Sequence, residues 1–418
     1  MEIPAFVRNV ATLASGTLLA QLLPLLASPL LTRLYTPAQF GLFALFMAIF
    51  STLHQATTGH YEIAMITPKR NQTARELFVI ALYYALGFSL LVLASLLLMH
   101  TPLLKLIGAQ QLGNWIYLLP LMLFLAGSSQ LINHYANRAG KYTYMAQATL
   151  IQGISIVFIS LLLGLLQAGF MGLIAGYAGG YTLSFLFLAW RYHRDIGQAD
   201  FSWSQRKSRI AQHFRDYPIF SGSMSIFDGL SLALPTFFIA AGYPEAIVGY
   251  YALVMRTLYT PLTFLSTSVG QVNLKKIVQL IHDKQALTPY LGRITLVLIL
   301  IASMPASLLF LFGPELFAFV FGTDWRIAGE FAQILAPALI IRFTASTLSN
   351  TLTATRNPRL AGLWKIISFV STLSILWFFT GEVSASKLLK YLMIKDILLY
   401  FFYYTLIYFS ARQTQKEQ

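Results

Sequence analysis

The sequence predicts an all-α integral membrane protein of about twelve transmembrane helices, and three observations carry that expectation. Apolar residues make up 57% of the 418-residue chain, charged residues only 11%, and the mean hydropathy is +0.65. Soluble domains average roughly 45–50% apolar and about 25% charged. The apolar residues run on for about 20 residues at a time, the length that crosses a bilayer, whereas a transmembrane barrel would show alternating segments of about ten. The net charge of +14 is concentrated in alternate connections, as in membrane proteins whose basic loops stay on the cytoplasmic side. With no cysteine, disulfides, thiolate nucleophiles and Cys-ligated metals are excluded.

Twelve spans are read in order at roughly 7–32, 38–64, 75–99, 114–136, 143–166, 170–190, 217–242, 246–269, 288–312, 329–353, 361–379 and 386–410. The first is too long for a cleaved signal peptide and is expected to be a retained anchor. Pro24 and Pro29 in it, and Pro235 in the seventh, predict bends suited to lobes that open and close. Gly172, Gly176 and Gly180 recur every fourth residue in the sixth span, the pattern of close helix contact in membranes. Between the sixth and seventh lies Arg191–Asp216, with six basic residues against three acidic ones. Alone it resembles a nucleic-acid patch, but within a membrane protein it reads as the largest inner-side loop. Trp203, Ile210 and Phe214 recur there at helical spacing among Arg206, Lys207 and Arg209. Two forms stay open for it, an amphipathic helix on the anionic membrane surface or a freely solvated loop.

A cytoplasmic N-terminus puts twenty basic residues inside and leaves only Arg33, Lys105, Arg326 and Lys387 outside, so both termini are expected in the cytoplasm. The chain also repeats itself. Tyr35-Thr36-Pro37 before Gly41-Leu42-Phe43-Ala44-Leu45 matches Tyr243-Pro244 before Gly249-Tyr250-Tyr251-Ala252-Leu253, each in the first outer turn of its half. Arg138 and Lys141 after the fourth span match Arg356 and Arg359 after the tenth. The expected organisation is a six-helix bundle at 1–190, a cytoplasmic linker at 191–216 and a second six-helix bundle at 217–418. The bundles would be related by a pseudo-two-fold axis along the membrane normal.

Ionisable groups within spans are costly and are functional candidates by default. Arg256 and Arg342 are expected to form a cationic site for an anionic group, because guanidinium stays charged and pairs phosphate bidentately. Asp228 suits a coupling ion or neutralises one of those arginines. Glu62 suits coupling or gating, or a packing salt bridge with Arg8. Lys365 lies near the inner end of its span, and Lys395 and Asp396, adjacent and so about 100° apart on a helix, are assigned to structure. The seven histidines show no metal-ligand spacing. His193-Arg194-Asp195 lacks the other parts of a kinase site, and Asn71-Gln72-Thr73 is a sequon on the cytoplasmic side.

Arg33-Leu34-Tyr35-Thr36-Pro37 with Phe40-Gly41 and Phe43-Ala44, followed by Gly59-His60-Tyr61-Glu62-Ile63-Ala64, resembles the polysaccharide or O-antigen flippases. These belong to the multidrug/oligosaccharidyl-lipid/polysaccharide exporter superfamily. The resemblance implies a V-shaped, alternating-access transporter that moves undecaprenyl-pyrophosphate-linked oligosaccharide from the inner to the outer leaflet of the bacterial cytoplasmic membrane. It implies a part in lipopolysaccharide or related polysaccharide biosynthesis, contact with membrane lipids and with polymerase machinery, no nucleic acid, no cofactor, and proton or sodium coupling. Its lining helices are chiefly the first, second, seventh and eighth, which favours Glu62, Asp228 and Arg256 over Lys395. Two other readings stand beside it. A multidrug exporter of the same fold would need a net acidic cavity, and a membrane enzyme acting on the same glycan would need a large outer loop or paired carboxylates.

Overall fold

The computed structural model describes residues 22–197 and 200–417. Helices and turns account for them, and no strand occurs among the described residues. Residues 22–26 are helical ahead of α1 (Ser28–Leu34), with a turn at Ala27. Pro24 and Pro29 flank that turn, so the bend predicted in the first span lies here; the rest of that span, including Arg8, falls outside the described residues. There follow α2 (Pro37–His54), α3 (Tyr61–Ala64), α4 (Asn71–Leu106), a 3-10 segment at Gln110–Tyr117, α5 (Leu118–Arg138), α6 (Tyr142–Leu165), α7 (Phe170–Gly197) and the linker helix α8 (Gln205–His213). A π segment at Tyr217–Gly222 leads into α9 (Ser223–Gly242), and α10 (Glu245–Val254) joins α11 (Thr260–His282) through a second π segment, Met255–Tyr259. The chain ends with α12 (Leu287–Phe321), a 3-10 turn at Thr323–Trp325, α13 (Arg326–Leu348), α14 (Asn350–Ala354), α15 (Pro358–Phe379) and α16 (Ala385–Glu417).

Ten helices among the described residues are long and apolar enough to cross a membrane, and they coincide with ten of the twelve expected spans. This is a multi-pass membrane protein. Leu98 is 85% exposed and Phe319 82% exposed; in water each would forfeit about 1.5–3 kcal/mol of burial, whereas hydrocarbon removes that penalty. Two spans differ from expectation. The second ends at His54 instead of running helically to Ala64. The eighth is broken at Met255–Tyr259, because Pro261 just beyond cannot donate to a carbonyl one turn back and its ring crowds that carbonyl.

The chain divides into two compact units, Met1–Ala241 and Gly242–Gln418. The sequence assigns the seventh span to the second half, but α9 lies almost wholly within the first unit. There its Gly229 sits against Thr52 and Gln55 of the α2 end, where a Cβ would come 3.1 Å from the Thr52 backbone. The core of the first unit gathers Met65, Leu77, Phe78, Leu131, Leu188 and Tyr192. That of the second gathers Ile277, Leu291, Leu298, Phe343, Leu348 and Ile407.

The internal repeat has structural counterparts inside each unit. Tyr35 is buried and its hydroxyl donates to the Ser160 carbonyl at 2.6 Å, while the Tyr243 hydroxyl donates to the Val383 carbonyl at 2.7 Å. Both tyrosines thus tie the first turn of a half to its fifth span or the turn after it. The turns that carry the matched basic pairs share a geometry, but two residues out of the sequence register, for Gly140 and not Arg138 takes the place of Arg356. Lys141 N–H donates to Ala136 O at 2.9 Å across left-handed Gly140, and Asn357 N–H donates to Leu352 O at 2.8 Å across left-handed Arg356. This is the six-to-one closure of a helix C-terminus. Gly172, Gly176 and Gly180 face α6 as the spacing predicts, and a Cβ at Gly176 would collide with Ser160 Oγ and Ile156 O.

The linker is neither free nor simply laid on a surface. Helix α8 is docked against α4 by an Arg206–Glu76 ion pair at 3.1 Å and by the Tyr83 hydroxyl, which donates to Phe201 O at 2.6 Å. Lys207 is buried and donates to Asp200 Oδ2 at 3.0 Å and to Ser202 O. Hydrogen bonds from the Ser202 side chain and backbone, then from Lys207, hold the Asp200 carboxyl down at about 2.

Gly176→Val is expected to lower the thermal midpoint in detergent by the equivalent of about 1–3 kcal/mol, the usual cost of overpacking. Gly87→Val on α4, where nothing lies within 4 Å of an added Cβ, is the matched control. Equal shifts for the two variants would contradict the close α6–α7 contact.

Candidate functional site

Two polar clusters sit among the spans, one in each unit. The first begins with the backbone. Helix α2 stops at His54, and Gly59 and His60 both take left-handed conformations, φ 59° and 58°, before α3 restarts at Tyr61. Glycine is required at 59 on two counts, its positive φ and the Tyr84 ring 3.0 Å from where a Cβ would stand. The turn brings Glu62 into the interior at 1% exposure. Its carboxylate accepts from Thr58 Oγ1 at 2.5 Å and from Gln130 Nε2 at 3.1 Å, with His60 Nδ1 3.7 Å away.

His60 extends the cluster onward, since its Nε2 lies 2.7 Å from Ser225 Oγ on α9. Asp228, on the same helix three residues beyond Ser225, is exposed. His54 stacks on Phe50 at 5.3 Å and nears Tyr181 at 6.4 Å. His54 Nε2, His134 Nδ1 and Asn133 Oδ1 are buried and, among the described residues, lack a hydrogen-bond partner. Just below, Arg138 donates to the carbonyls of Met65 and Ile66 at 3.2 and 3.1 Å and to Asn71 Oδ1 at 3.2 Å, which closes the end of α3. The carboxylate is thus held by a hydroxyl and an amide, with one imidazole at 3.7 Å and further buried polar atoms nearby.

The second cluster is built on α13, α15 and α16. Arg342 reaches Asp396 Oδ2 at 3.5 Å, and its guanidinium carbon lies 4.2 Å from the Tyr259 ring centroid and 5.5 Å from that of Tyr400. Lys395 and Asp396 do pair with each other, Nζ to Oδ1 at 2.7 Å, and Lys395 also donates to Thr372 Oγ1 at 2.9 Å. Neighbours about 100° apart on a helix meet here because the four-carbon lysine stem is long enough to curl back. Two cations share one carboxylate, so the cluster carries a formal charge of +1. Arg342 is still 32% exposed on its side chain. Arg342 is thus held by aromatic faces, paired on one side and partly open, in a cluster with one cation in excess.

Arg256 lies on the π turn Met255–Tyr259, half-buried, three residues before the tyrosine that stacks on Arg342. Segments of this kind recur at functional sites because they re-aim side chains that a regular helix would point elsewhere. Of the four residues expected from sequence, Glu62 and Arg342 are therefore cluster centres, each within its own unit. Asp228 and Arg256 stand on helices that contribute Ser225 and Tyr259 to those clusters. Sequence reasoning placed His60 near Glu62 but missed His134 and Gln130 around it, and Tyr259 and Tyr400 around Arg342. The i,i+4 spacing of Asp396 and Tyr400 on α16 was the available signal for one of them.

The profile of a family described as polysaccharide biosynthesis protein matches residues 30–329. No curated protein shows significant similarity to the chain. Among solved structures, the fold is similar to an inward-facing multidrug resistance MATE family transporter of the MOP superfamily, with TM-score 0.77 and 14% identity over 97% of this chain and 99% of that one. It is similar to the lipid II flippase MurJ in an inward closed conformation, with TM-score 0.73 and 15% identity over 94% of this chain and 86% of that one. It is also similar to a MOP superfamily transporter from Pyrococcus furiosus described as having a binding pocket of reversed polarity, with TM-score 0.61 and 12% identity over 97% and 96% of the two chains. At these identities the likeness establishes the fold, which is that of the MOP transporters.

Asp396→Asn is expected to lower the thermal midpoint by less than the roughly 3–5 kcal/mol of a fully buried pair, since Arg342 is partly exposed. Arg342→Met in the Asp396→Asn background should recover part of that loss. Strictly additive effects in this double-mutant cycle would contradict the coupling drawn from the 3.5 Å contact.

Proposed function

Because the chain belongs to the polysaccharide biosynthesis protein family, matched over residues 30–329, we propose that it is a lipid-linked oligosaccharide flippase. Its substrate on this reading is an undecaprenyl-pyrophosphate-linked O-antigen or related repeat unit. It moves from the inner to the outer leaflet of the cytoplasmic membrane by alternating access, with both termini of the protein in the cytoplasm. The observation that carries the reading is the Arg342–Asp396–Lys395 cluster, an excess positive charge held among apolar spans by two tyrosine rings. Charge at that depth is costly unless it serves a ligand. A pyrophosphate supplies the missing anion, and guanidinium is the side chain that meets it bidentately. Arg256 is the second candidate contact.

The sugar needs a different service. Each hydroxyl stripped of water without a partner costs several kcal/mol, on the order of 2–7, so a glycan crosses only where protein polar groups replace water. An exporter of amphiphilic cations is the competing reading of the same fold, and the positive cluster disfavours it. Glu62, ringed by His60, Gln130 and Thr58, is assigned the coupling ion, a proton or sodium, with Asp228 as the second carboxylate. Products of this transport would pass to the polymerase machinery of the outer leaflet.

Purified protein in vesicles loaded with a lipid-linked oligosaccharide on one leaflet tests the proposal. Leaflet exchange without covalent change to the glycan is expected, and Arg342→Ala should slow it about 10- to 100-fold, the worth of a charge-assisted contact. Exchange of a lipophilic cation but not of the glycan-lipid would overturn the reading. Glu62→Gln should leave the fold intact yet abolish the response of exchange to an imposed pH or sodium gradient. A variant that still responds to both would remove Glu62 from coupling.

A further inference from the structure

Outside both clusters, the docked linker helix forms a basic hollow that the transport reading does not use. Helix α8 carries Arg206, Arg209, Ile210 and His213 at three- and four-residue spacing, hence on one face, with Phe214 at its C-cap. That face and Thr73 of α4 line a hollow of about 550 Å³, within the roughly 300–1,000 Å³ of small-ligand sites. Arg206 is committed to Glu76. Arg209 and His213 are exposed and form no ion pair with a carboxylate among the described residues. Thr73 belongs to the first turn of α4, a 36-residue helix with no acidic residue in that turn and no side-chain cap. Its opening amides therefore add positive potential to the same hollow.

Exposed apolar residues flank α8 on both sides in the chain. Trp203 is 56% exposed, and Phe201, Ile219 and Phe220 are exposed as well. The linker joins two membrane-crossing helices, α7 and α9, so these side chains lie at the end of the spans. Tyr83 braces Phe201 through its carbonyl and meets the Trp203 ring edge-on at 5.9 Å. Together with the Lys207–Asp200 contact, this presets the hollow before any ligand arrives.

We propose that the hollow between α8 and the first turn of α4 binds the phosphate headgroup of an anionic phospholipid. Arg209 is the principal contact, His213 and the α4 amides assist, and Trp203 and Phe201 pack along the glycerol and upper acyl chains. A free phosphate would satisfy the charges but not the exposed aromatic residues, and a lipid headgroup satisfies both. Such a lipid would fasten the linker to the membrane face and hold α8 on α4.

The test uses the full chain in detergent, with bound lipid counted by native mass spectrometry during titration with phosphatidylglycerol or phosphatidylcholine. Wild-type protein should retain phosphatidylglycerol in preference to phosphatidylcholine. Arg209→Gln should weaken that binding about fivefold, the effect of one interfacial charge, while Arg209→Lys keeps most of it. Arg412→Gln, an exposed basic residue of α16, controls for net charge. Equal retention of the two lipids by wild-type protein overturns the proposal, as does a loss in Arg209→Gln no larger than in Arg412→Gln. Displacement of the lipid by millimolar inorganic phosphate would assign the hollow to a soluble anion instead. None of these readouts depends on transport, so the binding result and the flippase result fail separately.

Discussion

An ionised group inside an apolar medium has no water to turn to, so its counter-charges and hydrogen bonds must come from the chain itself. Glu62 and Arg342 are two solutions to that constraint. Glu62 is almost wholly enclosed and is satisfied by neutral donors, Thr58 and Gln130, with a histidine at 3.7 Å in reserve. Among the described residues its ion-pair contact is to that histidine and not to an Arg or Lys. Arg342 shares a single carboxylate with Lys395, so its cluster remains one charge in excess. One site is a carboxylate held by neutral donors, the other an excess of cation over carboxylate.

The same constraint shapes the backbone. A polar group left unpaired in hydrocarbon costs several kcal/mol, about 2–7 by transfer, so helix ends must close on themselves or be closed by side chains. Arg138 does this for α3 by meeting two carbonyls at once. Tyr35 and Tyr243 instead cross-link segments of their own units, Tyr35 to a carbonyl within α6 and Tyr243 to one in the turn before α16. The repeat noticed in sequence is thus carried by two features: a tyrosine that reaches across its own unit before the second span of each half, and a left-handed residue after the fourth. Residue type is freer than geometry, since Gly140 in one turn answers to Arg356 in the other.

How far the sequence was legible follows from which forces are local. Hydrophobic run length is local, so ten spans, the Gly172–Gly176–Gly180 contact and the burial of Glu62 could be read directly. Rotamer choice and helix register are not. Nothing in the order of residues says that Lys395 curls back onto its neighbour, or that Gln130 of α5 reaches Glu62. The break at Met255–Tyr259 has its signal in Pro261, at the start of α11. Its consequence is large, for it sets Tyr259 over Arg342 and carries Arg256 on the same turn.

The linker shows how context changes the meaning of charge. Six basic residues in 26 would suggest polyanion binding in a soluble protein, yet the structure spends several of them before any partner appears. Arg206 goes to Glu76, Lys207 to Asp200 and Ser202, and Arg191 stacks on Tyr144 at 4.4 Å. The first of these holds α8 against α4. Of the remaining three, Arg194, Arg209 and Arg215, it is Arg209 that lines the hollow, with His213 beside it and half-buried Ile210 and Phe214 as its apolar wall. Few charges in a fixed hollow next to apolar surface match a single headgroup better than a long polyanion. A polymer rewards many weak contacts along its length, whereas a lipid rewards one well-placed cation joined to a place for its chains.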